Sequence, residues 1–103
     1  AELEAIIAAM PDVKDVIVIP VPDEEAGEVP RAYVVKKDNA SPSFTEQSVV
    51  DYVNDNVAPH KRLRGGAFFT KEVPKSASGK LLRRVQIELD RELHPTSSFL
   101  SKQ

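Results

Sequence analysis

The spacing of apolar residues along the first half of the chain predicts one helix followed by two strands. Within residues 2–10 the apolar positions repeat with the period of a single helix face. The β-branched run at residues 16–21 suits a strand that is buried on both faces. An acidic loop over residues 22–28 then leads to a second strand at residues 31–35, and Pro30 stands at its start, where a missing N–H is tolerated. The members of the helix face are Leu3, Ile6, Ile7 and Met10.

The second half predicts a helix, a short strand and a last helix. Residues 38–43 form a turn, and Thr45 follows as the N-cap of a helix over residues 46–56. Residues 67–70 indicate a third strand, and the last helix begins near Lys80. The apolar positions that share one face in these two helices are, in order, Val49, Val50, Val53 and Val57, and then Leu82, Val85, Leu89 and Leu93.

The predicted order is therefore helix, strand, strand, helix, strand, helix. This order indicates an α+β fold in which a small mixed three-stranded sheet is packed with helices. A length of 103 residues suits one small domain. We assign residues 1–94 to that domain and residues 95–103 to a polar tail. A domain of this size can bury a core, but it has little room for a large substrate pocket as well.

The composition narrows the classes of function. The chain has no cysteine, which excludes disulfides, thiolate metal sites and a cysteine nucleophile. His60 and His94 stand 34 positions apart without a nearby carboxylate pattern, so no metal site is expected. No apolar run approaches the roughly 18 residues that a membrane span requires. We therefore expect no membrane span.

Charge is distributed unevenly along the chain. Residues 1–58 contain 12 acidic and 4 basic side chains, whereas residues 59–103 contain 4 acidic and 10 basic ones. The basic half either faces an anion or forms an ordinary solvated surface. Nucleic acid is not the expected anion, because no aromatic residue interleaves with the basic run at residues 61–64.

The strongest candidate for chemistry is the segment Pro74–Arg84, with the sequence PKSASGKLLRR. Gly79 permits a positive φ angle or a close backbone approach, and Lys80 is a compact point charge that suits phosphate oxygens. The segment differs from a P-loop, because Pro74 occupies the place of the first glycine and Leu81 that of the magnesium-binding Ser or Thr. From these residues alone, an ordinary surface loop before a helix is the alternative.

Several segments resemble the C-terminal domain of the adenylate-forming superfamily, which includes acyl-CoA synthetases, 4-coumarate–CoA ligases, beetle luciferases and peptide-synthetase adenylation domains. Pro74–Arg84 resembles the last signature motif of that superfamily. Ala1–Glu4 resembles the start of its C-terminal domain, and Pro22–Pro30 resembles the loop that follows. Val57–Gly66 is similar to the 4-coumarate–CoA ligase and luciferase branch. The resemblance covers residues 1–94.

This resemblance implies that a large N-terminal domain binds ATP with Mg²⁺, coenzyme A and a small carboxylic acid, none of which binds tightly to this chain alone. Lys80 matches the family lysine that serves formation of the acyl-adenylate, and Ser78 and Gly79 lie beside it on the ATP side. Gly27 and Glu28 match the loop that faces coenzyme A in the later step. The domain is then a lid that alternates between two orientations.

Some alternatives stay open within the resemblance. Ala26 stands where some relatives have an arginine that faces the phosphates of coenzyme A, so the resemblance does not supply that contact. Acid–CoA ligation, luciferase-type oxidation and peptide-synthetase adenylation share these motifs. A non-catalytic interaction or regulatory module with the same fold is the rival from another class. We expect a monomeric fragment and a cytoplasmic location, since Ser101-Lys102-Gln103 is a poor version of the peroxisomal Ser-Lys-Leu signal.

Overall fold

The computed structural model describes residues 2–95, and its elements follow the predicted order. This confirms the α+β fold and the mixed three-stranded sheet. A short 3-10 turn at Pro59–Lys61 follows the second helix. The polar tail predicted over residues 95–103 lies outside the described residues, apart from Pro95. The elements are α1 Glu2–Ala8, β1 Val13–Asp23, β2 Gly27–Lys36, α2 Glu46–Asn56, β3 Ala67–Phe69 and α3 Arg83–Leu93.

Strands β1 and β2 form a hairpin that is longer than the sequence predicted. They pair antiparallel from Val13 and Lys36 to Asp23 and Gly27, so most of the predicted loop over residues 22–28 is strand. The turn is short because the Asp23 carboxylate accepts hydrogen bonds from the Glu25 and Ala26 amides, at 3.2 and 2.9 Å. Strand β3 pairs parallel to β2 on the other side, which gives the order β1-β2-β3.

Pro30 lies inside β2, directly opposite Pro20, and not at the start of the strand as predicted. Val18, two residues before Pro20, donates its amide to a side chain outside the sheet. Since amide direction alternates along a strand, the nitrogen of Pro20 points out of the β1–β2 ladder, and the nitrogen of the paired Pro30 does so on the other side. Neither proline therefore removes a hydrogen bond from this ladder.

A glutamate from a helix lies at each free edge of the sheet. Glu4 of α1 accepts a 2.8 Å hydrogen bond from the Val18 amide of β1. Glu46 of α2 accepts a 2.8 Å hydrogen bond from the Phe69 amide of β3. None of the backbone positions of β1 that point away from β2 offers a free N–H from Val16 to Pro22. The Val16 amide donates to the Asp15 side chain and the Val18 amide donates to Glu4, while Pro20 and Pro22 have no N–H.

The core lies on both faces of the sheet, as predicted for the β-branched run in β1. Helices α1 and α2 cover one face, where Ile7, Val16 and Val53 belong to the same buried cluster. The other face contains a second cluster around Ile17 and Ile19, against which residues of the segment 73–87 pack. Successive residues of β1 point to opposite faces, so one strand contributes to both clusters.

Helix α2 begins as predicted, whereas α3 differs from its prediction. The Thr45 hydroxyl accepts a 3.1 Å hydrogen bond from the Ser48 amide and so caps α2. Helix α3 begins at Arg83, three residues beyond Lys80. Its apolar face is exposed, with Leu93 at 63%, while Asp90 is 3% exposed and packs inward. A stripe of apolar residues normally marks the face of a helix that packs against the core. In α3 the face that contains Asp90 packs inward instead, because Arg31 and Tyr33 supply hydrogen bonds to its carboxylate there.

Candidate functional site

Lys80 lies in a short closed loop, which we call the lysine loop and define as residues 75–81. Lys75 and Leu81 form an isolated antiparallel bridge that closes it. Inside the loop, Ser76 donates its amide to the carbonyl of Lys80 at 2.9 Å, and Gly79 donates to the carbonyl of Ser76 at 2.9 Å. The Ser76 hydroxyl also accepts from the Lys80 amide at 3.2 Å. The backbone on both sides of Lys80 is thus fixed by local hydrogen bonds.

The loop presents the side chain of Lys80 to solvent. Gly79 has a φ of 89°, which is one of the two possibilities that the sequence left open, and this conformation disfavours any other residue at this position. Space around Gly79 is open, since a Cβ at this position would meet no atom beyond its chain neighbours within 4 Å. Within residues 2–95, Lys80 forms no salt bridge with any carboxylate. Ser78 is exposed beside it and shares a 3.0 Å hydrogen bond with the Ser76 hydroxyl.

Ion pairs hold the base of the lysine loop on both sides. Before the loop, the Lys75 ammonium lies 2.6 Å from the Asp15 carboxylate of β1. After the loop, the Arg83 guanidinium pairs with the carboxylate of Glu4 in α1. The Leu82 amide also donates to the carbonyl of Pro74 at 3.0 Å. The loop is consequently attached to strand β1 at one end and to helix α1 at the other.

The second candidate loop lies at the turn of the β1–β2 hairpin. Gly27 has a φ of 85° and is exposed, and the adjacent Glu28 is exposed as well. Glu28 lines a groove of about 370 Å³ together with Arg83, while Gly27 and Lys80 are not part of its lining. That volume is at the lower end of the range for small-molecule sites. The remaining lining residues are Val18, Ile19, Pro20, Val29 and Pro30.

A buried polar network joins α3 to the sheet. Asp90 accepts hydrogen bonds from the Arg31 guanidinium at 2.8 Å and from the Tyr33 hydroxyl at 2.5 Å. The Nε of Arg31 donates to the carbonyl of Gly65 at 2.7 Å, and its guanidinium lies 5.2 Å from the centroid of the Phe68 ring. Burial, together with the hydrogen bond to Asp90, holds the pKa of Tyr33 above its usual range.

Sequence reasoning missed the partners that fix these sites. Glu4 and Asp15 belong to α1 and β1, far along the chain from Arg83 and Lys75, and nothing in the local sequence marks them as partners of the lysine loop. No sequence signal distinguished Asp90, because Glu88 and Glu92 are carboxylates of the same helix.

Among residues 2–95, no group of three or more metal-ligating side chains lies close enough together to hold a metal ion. The described residues also contain no helix that is long and apolar enough to cross a membrane.

Comparison with known proteins places the chain in a family. The sequence profile of the AMP-binding enzyme C-terminal domain matches residues 2–80. The 4-coumarate–CoA ligase-like protein 4 of Oryza sativa subsp. japonica is 48% identical over 89 residues, covering 86% of this chain and 16% of the relative. The peroxisomal OPC-8:0-CoA ligase 1 of Arabidopsis thaliana is 45% identical over 89 residues, again covering 86% of this chain and 16% of the relative.

A solved structure agrees with these relatives. The fatty acyl CoA synthetase of Mycobacterium tuberculosis superposes with a TM-score of 0.74 and 34% identity, over 85% of this chain and 17% of that protein. The chain therefore spans about 16% of the length of the curated relatives described above. From the matched profile, the relatives and the shared fold, we conclude that this chain belongs to the family of AMP-binding enzyme C-terminal domains.

Proposed function

We propose that residues 1–94 form the C-terminal lid domain of an ATP-dependent, AMP-forming acid–CoA ligase, and that Lys80 supplies the charge needed for its first step. The observation that carries this proposal is the lysine loop: a short loop, attached to β1 at one end and to α1 at the other, exposes one ammonium that has no carboxylate partner among residues 2–95. The CoA ligases among the relatives support the reaction class.

In the first half-reaction, the carboxylate of the acid attacks the α-phosphorus of ATP, the bond to pyrophosphate breaks, and an acyl-adenylate forms. ATP with Mg²⁺ and the acid are bound mainly by the large N-terminal domain. The ammonium of Lys80 neutralises charge that develops on the α-phosphoryl oxygens and orients the carboxylate of the acid. Ser78 and Gly79 lie on the same side and let the loop approach the acyl-phosphate closely.

In the second half-reaction, the thiol of coenzyme A attacks the acyl carbon, and AMP leaves with the bonding electrons. We propose that the lid rotates between the two steps and then presents the hairpin turn at Gly27 and Glu28 to coenzyme A. The positive φ angle of Gly27 and the exposed position of Glu28 support a contact at this turn. Lys80 would then be distant from the reacting atoms.

The test is Lys80→Ala in the full-length enzyme, with the two half-reactions measured separately. Adenylation is followed from acid plus ATP, and thioester formation from pre-made acyl-adenylate plus coenzyme A. Losing one well-placed electrostatic donor should slow adenylation by about 10²–10³-fold, while thioester formation stays nearly unchanged. Lys71→Ala, which removes an exposed lysine outside the loop, is the matched control. Equal losses in both steps would indicate general damage, and an unchanged adenylation rate would refute the assignment of Lys80.

The rival is a non-catalytic interaction module with the same fold, which predicts that Lys80→Ala changes neither half-reaction. Lys80 is exposed and has no carboxylate partner in the part of the chain that the structure describes. This favours the ligase, because an interaction module has no need for an ammonium at the tip of a tightly closed loop. We also propose a cytoplasmic location. A fluorescent fusion of the full-length enzyme distinguishes the cytoplasm from the peroxisome, where the named Arabidopsis relative is placed.

A further inference from the structure

Glu4 uses both of its carboxylate oxygens, and each one contacts a different part of the fold. Its Oε2 accepts the amide of Val18 at 2.8 Å, which attaches α1 to the middle of β1. Its Oε1 pairs with the guanidinium of Arg83, the first residue of α3. The side chain of Glu4 is only 13% exposed, whereas that of Arg83 is 44% exposed. A single carboxylate thus connects α1, β1 and the start of the helix that follows the lysine loop.

The two ends of the lysine loop are held through the same strand. Asp15 holds Lys75 before the loop, and the amide of Val18 orients the carboxylate that holds Arg83 after it. Because the attachment points on β1 are three residues apart, they set the direction in which the loop leaves the sheet. The internal hydrogen bonds of the loop define its shape, but they do not define this direction.

On these grounds, and resting on the proposed function, we propose that the Glu4–Arg83 ion pair positions Lys80 for adenylation. In the proposed enzyme the large domain precedes α1, so Glu4 links the helix nearest to that domain with the base of the loop that must reach into its active site. Catalysis by positioned charges is sensitive to displacement: a shift of about 1 Å can cost on the order of 10²-fold in rate. Glu4 and Arg83 are positioning residues in this scheme, and neither touches the reacting atoms.

A second ion pair provides a matched control on the same helix. Glu2, two residues before Glu4, pairs with Lys61 at 2.8 Å, and both side chains are about half exposed, at 60% and 45%. The hydrogen bond from Lys61 holds the pKa of Glu2 below its usual range. This pair joins α1 to the 3-10 turn, and among residues 2–95 neither side chain forms an ion pair or a hydrogen bond with the lysine loop. Like the Glu4 pair, it joins a glutamate of α1 to a basic side chain, but it has no proposed role in positioning Lys80.

The experiment uses the full-length enzyme with Glu4→Gln, Arg83→Met and the double variant. The glutamine can still accept the Val18 amide but cannot form the ion pair, and methionine preserves the apolar stem of the arginine. Each single variant should lower kcat for adenylation by about tenfold to a hundredfold. Because the two residues act as one unit, the double variant should be no slower than either single one. Arg83→Lys should restore part of the rate.

Two further readouts separate positioning from general stability. In Glu4→Gln, thioester formation should stay within about twofold of the parent enzyme, because the lysine loop is not used in that step. Hydrogen exchange measured by mass spectrometry should become faster in peptides covering residues 75–81 and stay unchanged in those covering β1 and β2. Glu2→Gln should leave both half-reactions and the exchange pattern unchanged.

The outcomes distinguish this inference from the function on which it rests. If Lys80→Ala slows adenylation but Glu4→Gln and Arg83→Met do not, the positioning role is wrong and the proposed function stands. Additive losses in the double variant, or equal losses in both half-reactions, would also overturn the positioning role. If Lys80→Ala leaves adenylation unchanged, the proposed function fails, and this inference fails with it.

Discussion

Replacing Asp90 with alanine tests whether the buried polar network holds α3 against the sheet. The substitution removes a carboxylate that is 3% exposed and that accepts hydrogen bonds from Arg31 and Tyr33. The guanidinium of Arg31 then stays in a side chain that is only 12% exposed, without its counter-charge. The Tyr33 hydroxyl loses its acceptor in the same environment. Both losses destabilise the folded state, because the unfolded chain solvates these groups with water.

The expected cost is large for a single substitution. Removing one partner of a buried ion pair typically destabilises a protein by about 3–5 kcal/mol. Because Arg31 keeps its 2.7 Å hydrogen bond to the carbonyl of Gly65, we expect a loss of stability near the lower end of that range, at about 3 kcal/mol. For a domain of roughly this size, each kcal/mol lowers Tm by about 4–8 °C. We therefore expect Tm to fall by about 12 °C or more.

Urea unfolding of the 103-residue chain, followed by circular dichroism, measures this change. Asp51→Ala is the control, because Asp51 is an exposed helix carboxylate whose loss should change stability by no more than about 0.5 kcal/mol. The double variant Arg31→Met with Asp90→Leu should recover part of the loss, since apolar residues can replace a buried ion pair at little cost, while the Tyr33 hydroxyl still lacks its acceptor. A change below about 1 kcal/mol in Asp90→Ala would refute the reasoning.

Three further predictions concern Tyr33, Gly65 and the isolated chain. The pKa of Tyr33 is raised in the folded state. The contribution of Tyr33 to stability is therefore fully present below its unfolded pKa of about 10 and is lost as pH rises through the higher folded value. The stability of Tyr33→Phe should consequently fall less steeply with pH in the alkaline range than that of the parent chain. Gly65→Ala should destabilise the domain by about 1–3 kcal/mol in the same urea assay, because its Cβ would lie 2.7 Å from the backbone oxygen of Pro30. The isolated chain should fold but show no ligase activity and no micromolar binding of ATP with Mg²⁺ in calorimetric titration, and such binding would contradict its assignment as a lid.

The fold was predictable to the extent that local rules decide it. The boundaries of α2 follow from the Thr45 cap and the valine periodicity, and both were predicted correctly. The hairpin was predicted too short, because acidic residues and prolines suggest a loop when the strand partner is unknown. Pairing between β1 and β2 extends past Pro20, Pro22 and Pro30 to Gly27, and tertiary context overrides the local signal there.

Helix α3 shows where the hydrophobic pattern fails. Val85, Leu89 and Leu93 share a face, yet Gln86 and Asp90 are the residues that pack inward. The burial of Asp90 depends on Arg31 and Tyr33, which lie in β2, 59 and 57 residues away along the chain. The periodicity of apolar residues within a helix carries no information about a partner so distant along the chain. The same limit applies to the lysine loop, since its motif was visible in the sequence whereas Glu4 and Asp15 were not.

The glutamates at the two free edges of the sheet have a consequence for association. An unprotected edge strand can pair with a strand from another chain and so begin aggregation or domain swapping. In β1 the outward donors are either absent at Pro20 and Pro22 or already bonded, and Glu46 occupies the Phe69 amide of β3. A second chain would have to displace these carboxylate contacts before it found free donors. Strand addition is therefore opposed at both borders. If the domain rotates as proposed, these contacts would let it separate from the large domain and return without joining its sheet to that of a neighbour.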